Sequence, residues 1–200
     1  MSRLFISALA MFACAAAWAQ TPVTVIRGVI SAVSSDGASL TMKSRSGETV
    51  NVRLAAATRL IEVVPASAAD LKPNAIIGIA AVPDTGDRLK ALEVHIFPEA
   101  MRGTGEGFRP FDLAPKSSMT NGALNARVGG VDGDTLTVSY KGGSQTIRLP
   151  ADAPIVSFAP GDKADLKVGA AAIARGAKGA DGAVDASAVL VGKDGLVPPM

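Results

Sequence analysis

The chain has 200 residues, with 20 Lys and Arg, 18 Asp and Glu, one histidine, one cysteine and one tryptophan. So near a balance of charge gives no electrostatic case for nucleic-acid or anionic-membrane binding, and a lone cysteine excludes an internal disulfide. The length suits one ordinary domain or two small ones, and small ones bury a lesser fraction of their surface, so contact between two would help both.

From the start, Arg3 precedes an apolar run from Leu4 to Ala13, and Ala17-Trp18-Ala19 precedes Gln20. A charged n-region, a short h-region and a small-x-small site predict a secretory signal peptide over residues 1–19, cut near Ala19. The bulky Phe12 before Cys14 argues against a lipid-attachment cysteine. No later stretch supplies the ~20 apolar residues that a spanning helix needs, so the expectation is a periplasmic or secreted chain without stable membrane insertion.

Residues 20–96 read as a first β domain. Ile26, Gly28 and Ile30 alternate up to a turn at Asp36-Gly37, Leu40 and Met42 alternate with Thr41 and Lys43, and a turn at Ser46-Gly47 leads to Val50, Val52 and Leu54. Period-two alternation between Gly-containing turns marks antiparallel strands with one buried face. Pro65 to Leu71 suits one helical turn. Two strands, Ala75 to Val82 and Leu89 to Ile96, follow around Pro83-Asp84-Thr85-Gly86-Asp87.

Residues 97–122 form a connector. Gly103, Gly105 and Gly107 with Pro98, Pro110 and Pro115 predict irregular backbone rather than helix or sheet. Phe97, Phe108, Phe111, Met101, Leu113 and Met119 lie in it, and flexible tethers lack such residues, so an ordered loop is expected. Burying each contributes roughly 1.5–3 kcal/mol towards the entropy of ordering.

Residues 123–200 repeat the order of the first domain. Ile147-Arg148-Leu149 matches Val52-Arg53-Leu54, and Ala164-Asp165-Leu166-Lys167 matches Ala69-Asp70-Leu71-Lys72, both 95 positions apart. Asp132-Gly133, Gly142-Gly143 and Asp181-Gly182 supply the turns. The reading is a duplicated unit. Five short strands with a helical turn between the third and fourth is the element order of an OB-type barrel. The fold expected is therefore all-β, two tandem OB-like five-stranded barrels joined by a long ordered connector, with two small open sheets or another small barrel topology as the alternative.

Asp132-Gly133, Leu136-Thr137-Val138 and Ala164-Asp165-Leu166-Lys167-Val168-Gly169 resemble a bacterial family of exported OB-like domains of unknown function; Pro73-Asn74 replaces the last pair in the first unit. The connector resembles a stretch of two-unit exported proteins that sometimes carry a metal-transport permease name. Those relatives have His and Trp where this chain has Phe108 and Phe111, so the resemblance implies no metal ligand there. It implies no established activity either.

Among candidate chemical groups, His95 shares the strand phase of Glu93 and Phe97 and is expected to face outward. With Glu93, Glu99 and Met101 it is a candidate metal set, though tight transition-metal sites usually show several His or Cys ligands in recognisable spacing. No nucleophile elbow, zinc-protease helix or phosphate loop is present, and Asp132 and Asp134 flank a turn glycine. Few aromatics sit outside the connector, which disfavours base stacking. Arg102 and Arg109 with Glu99, Glu106 and Asp112 are expected first to tie the loop down through salt bridges and hydrogen bonds. The functional alternative is that Arg102, Glu106, Arg109 and Asp112 make a polar rim around Phe108 and Phe111, a composition suited to a protein or small-ligand contact. The expected function is a non-enzymatic, exported binding or assembly module for an envelope protein or small ligand, without a cofactor. The alternative is a periplasmic metal-handling accessory protein using His95.

Overall fold

The computed structural model describes residues 22–86, 88–131 and 133–199. The signal-peptide reading, Cys14, Asp87 and Asp132 lie outside them. Among the described residues the chain is all-β, with no helix of seven residues or more and none long and apolar enough to cross a membrane.

Alternating residues and glycine turns produce a first meander of β1 (Val23–Val33), β2 (Ser39–Ser44) and β3 (Thr49–Pro65). β4 (Ile76–Pro83) and β5 (Leu89–Ile96) form a hairpin. Beyond them come β6 (Gly107–Pro110) and β7 (Ser118–Val128), then β8 (Asp134–Tyr140) and β9 (Gly143–Leu149). The chain ends with β10 (Ile155–Pro160), β11 (Ala171–Lys178) and β12 (Val184–Gly192).

The first meander does not close with the hairpin that follows it. β11 pairs antiparallel with β1 and parallel pairing joins β12 to β3, so β1, β2, β3, β12 and β11 make a closed five-strand barrel. β4 and β5 instead join the second meander: β4 pairs with β7, and β5 meets β9 at Leu89↔Ile147 and Lys90↔Arg148. The expectation that residues 20–96 and 123–200 each supply a whole sheet is therefore corrected; the last two strands of each are exchanged. The cause lies in β3, whose residues 55–64 hold no glycine or proline to turn the chain back. At roughly 3.3 Å per residue, that extension carries the chain about 30 Å away from the meander it has just built.

The far end of β3 lies against β10, with Val63 opposite Phe158, its counterpart 95 positions on. Ile61 pairs with Pro160 and Pro65 with Val156, so this ladder reads the same when the halves are interchanged. Likewise β10 runs parallel to β5 at Ile155↔Val94, as β12 does to β3 at Val189↔Leu60.

Three apolar clusters follow. Ile30, Leu40, Met42, Val52 and Val189 fill the barrel; Ile77, Ile79, Leu124, Leu136 and Ile147 fill the space within β4, β5 and β7–β9. Val63, Val156, Ile173, Ala188 and Leu190 pack outside both. Each interior is plugged from one end by the leucine of the Ala-Asp-Leu-Lys segment, Leu166 in the first and Leu71 in the second. The preceding 3₁₀ turns, Ala68–Asp70 and Lys163–Asp165, hold those leucines in place: Asp70 accepts from the Ser67 amide at 2.9 Å and Asp165 from the Asp162 amide at 2.7 Å. After each turn a left-handed residue, Asn74 (φ 63°) or Gly169 (φ 89°), donates its amide to Leu124 or Ile30 respectively at 2.8 Å.

Truncating either plug removes a nearly buried side chain from a closed interior. Leu71→Ala and Leu166→Ala are each expected to cost about 2–5 kcal/mol in urea unfolding, whereas the exposed Val168→Ala changes stability by about 0.5 kcal/mol or less.

Candidate functional site

The connector holds more regular structure than its glycines and prolines predict. β6 pairs with β7 from Gly107↔Asn121 to Pro110↔Ser118, and residues 118–122 already belong to β7. The punctuating residues lie at the ends of that pairing. Gly103 and Gly105 (φ 78° and 62°) turn the chain before β6, and Pro110 closes an edge strand, where a missing amide donor costs no ladder bond.

Several candidate recognition residues tie this segment down. Arg102 pairs with Glu99 and donates to the Asn74 carbonyl at 3.1 Å; Glu106 accepts from the Lys141 amide at 2.9 Å. Arg109 donates to the Gly105 carbonyl at 2.9 Å, and that carbonyl also accepts from Asn121 at 3.1 Å. Phe108 remains 46% exposed, Arg109 is exposed and Phe111 is half-buried. Asp112 takes both guanidinium N–H groups of Arg27 on β1, at 2.8 and 3.1 Å. That ion pair holds the Asp112 carboxyl below its usual range.

Where Asp112 and Leu113 meet the barrel they border an open groove of about 350 Å³, lined also by Val25, Ile26, Arg27 and Arg45. Its size falls in the range of small-ligand sites. Across the face beside it, the register sets Val25 opposite Arg175, Arg175 opposite Ala188, and Ala188 opposite Arg59. Arg27 lies two residues along from Val25 on that face. Although Arg175 is exposed by surface area, protein crowding its guanidinium lowers its pKa; repulsion from Arg27, Arg109 and Arg59 adds to this, and Asp112 opposes it. Among the described residues, neither Arg59 nor Arg175 has a carboxylate or carbonyl hydrogen-bonded to its side chain. Reading along the chain does not find this group, because Arg27, Arg59, Arg109 and Arg175 come from four strands and only the exchanged pairing collects them.

His95 is not on the surface. It keeps the expected strand phase with Glu93, pointing away from the interior, but that face is covered: His95 is 0% and Glu93 1% exposed. Phe97 and Phe158, the latter from β10 beside β5 in the sheet, pack against it, with the three ring centroids 5.4–6.3 Å apart. His95 Nε2 and Glu93 Oε1 are 3.1 Å apart but misaligned for a hydrogen bond, and both His95 nitrogens lack a hydrogen-bond partner. The other two members of the candidate metal set lie elsewhere, in the 3₁₀ turn Glu99–Met101, where Glu99 is committed to Arg102. Among the described residues no three His, Cys, Asp or Glu side chains converge. Glu93 and His95 are therefore a buried polar pair within the contact between the two strand groups.

No protein-family model, curated protein or solved structure matches the chain.

A buried polar pair of this kind resists the loss of one member more than the loss of both. His95→Leu is expected to cost roughly 3–5 kcal/mol by leaving Glu93 alone in an apolar site, and Glu93→Leu/His95→Leu to recover at least half of that loss. Denaturant unfolding of the two variants measures the difference.

Proposed function

We propose that the chain acts, after export, as a non-enzymatic binding or assembly module made of two OB-like barrels that derive from a duplicated unit and share their last two strands. The observation that carries this reading is the groove of about 350 Å³ where the connector meets the barrel. Its walls come from three separate parts of the chain: β1, the β2–β3 turn and the connector. Such a composite surface has an arginine-rich flank, and the connector that borders it also carries the exposed Phe108, so an apolar anchor and polar groups belong to one segment. Support for duplication comes from matched irregularities: register shifts at Ile30/Ala32 and Leu124/Ala126, and again at Ala80/Ala81 and Arg175/Gly176. Gly28 and Gly122 add to it, since a Cβ on either would lie 2.0 or 2.1 Å from a carbonyl oxygen of the neighbouring strand. Bulges and close-approach glycines are placed by a particular backbone path, which is why their recurrence weighs more than shared turn residues.

Capture of envelope components by the immobilised chain tests the reading. Wild type is expected to retain partners that Phe108→Ala/Phe111→Ala loses, with both proteins melting cooperatively. Identical retained sets from two folded proteins would contradict a recognition role for the connector.

A further inference from the structure

The two meanders differ at one edge. On its β8 side, β7 has two neighbours in succession: β8 along Ala123 to Val128, then β6 along Ser118 to Asn121. On the matching side of β1, β2 covers Gly28 to Val33, and among the described residues no strand continues along Val23 to Ile26. The matched glycines and register shifts, each 94 positions apart, put Met119 and Val25 at equivalent places. The groove bordered by Val25, Ile26 and Arg27 therefore occupies the place that β6 fills in the other meander.

Backbone direction agrees. Ile30 exchanges hydrogen bonds with Gly169 and Ala170, on the β11 side, while the Arg27 carbonyl accepts from the Arg45 amide on the opposite side. Strand alternation then turns the N–H and C=O of Val25 towards the groove. Unpaired edges of this sort are templates for another strand.

We infer that the open edge of β1 at residues 23–26 accepts an extended acidic peptide segment as an added strand, antiparallel to β1 as β6 is to β7. Main-chain hydrogen bonds to Val25 supply the pairing, the usual basis of strand addition. Side-chain choice follows from the register. In the other meander, Arg109 stands opposite Met119, in a row that continues through Ala80 to Glu93. In this one, the incoming residue opposite Val25 stands at the head of a row that continues through Arg175 and Ala188 to Arg59. Arg27 is already neutralised by Asp112, whereas among the described residues no carboxylate is salt-bridged to Arg175 or Arg59, Asp112 acting on Arg175 only at longer range. A Glu or Asp at that position complements them. The pairing of Asp112 with Arg27 shows the same chemistry at the rim of the same groove.

This rests on the binding-module reading and names the class of partner, yet it fails separately from it. The probe is a fluorescein-labelled synthetic peptide copying residues 105–112 with Arg109→Glu, titrated into the chain at low salt and followed by anisotropy. Saturable binding is expected, at least tenfold tighter than for the unmodified copy and at least tenfold weaker with Arg175→Gln/Arg59→Gln. Val25→Pro removes the groove-facing amide donor, at the cost of a side chain packed on the third apolar cluster, and is expected to abolish binding while the β1–β11 ladder persists; if that variant does not fold, the two exposed arginine substitutions decide. No saturable binding, or equal binding of both peptides, overturns the inference. So does a wild-type dimer that Val25→Pro converts to a monomer, because the edge would then serve a second copy. Either result leaves the Phe108-dependent capture to stand or fall independently.

Discussion

Everything in this architecture depends on the parallel ladder between β3 and β12. It runs over eight residue pairs, from Val184↔Val52 to Gly192↔Val63, and joins a strand begun near residue 49 to one that ends near residue 192. A contact of such sequence separation forms late and costs loop-closure entropy, so it persists only where burial compensates. Here β12 contributes to two clusters at once: Val189 and Val191 face the barrel interior, while Ala188 and Leu190 face the third cluster. With both faces covered, β12 has the two-sided burial typical of strands in parallel pairings.

Exchange also explains why a polar pair ends up buried. Glu93 and His95 occupy the places of Ala188 and Leu190, 95 positions on, and both pairs sit on faces that close against the middle of the molecule. On β12 those two positions hold apolar side chains. On β5 they hold a carboxylate and an imidazole 3.1 Å apart, beside Phe97 and Phe158. Buried polar groups are poor stabilisers and restrict which surfaces can meet, so this pair makes the two faces non-equivalent. A like difference holds at the edges, where one meander carries β6 and the other a groove.

Much of the strand pattern was legible. The alternation of Leu40 and Met42, or of Leu136 and Val138, together with the left-handed glycines at Gly37 and Gly47, placed the meanders correctly. Pairing was not legible, because period-two patterning tells which face of a strand is buried and nothing about its neighbour. β10 is not among the strands that alternation predicts: Pro150, Pro154 and Pro160 bracket a run too short to show a period, and its role as a bridge between β3 and β5 needs only six residues. For His95 the phase was right and the exposure wrong, since a face turned away from one core becomes interior once other side chains pack against it. In the connector, glycine and proline marked the ends of a strand rather than its absence.

Separate expression of residues 22–103 and 104–199 tests strand exchange most directly. Neither fragment then carries a complete set of five paired strands, so each alone is predicted to lack a cooperative thermal transition as a monomer, and mixing them at equal concentration is predicted to restore one. Two fragments that each melt sharply on their own, with no change on mixing, would contradict the account.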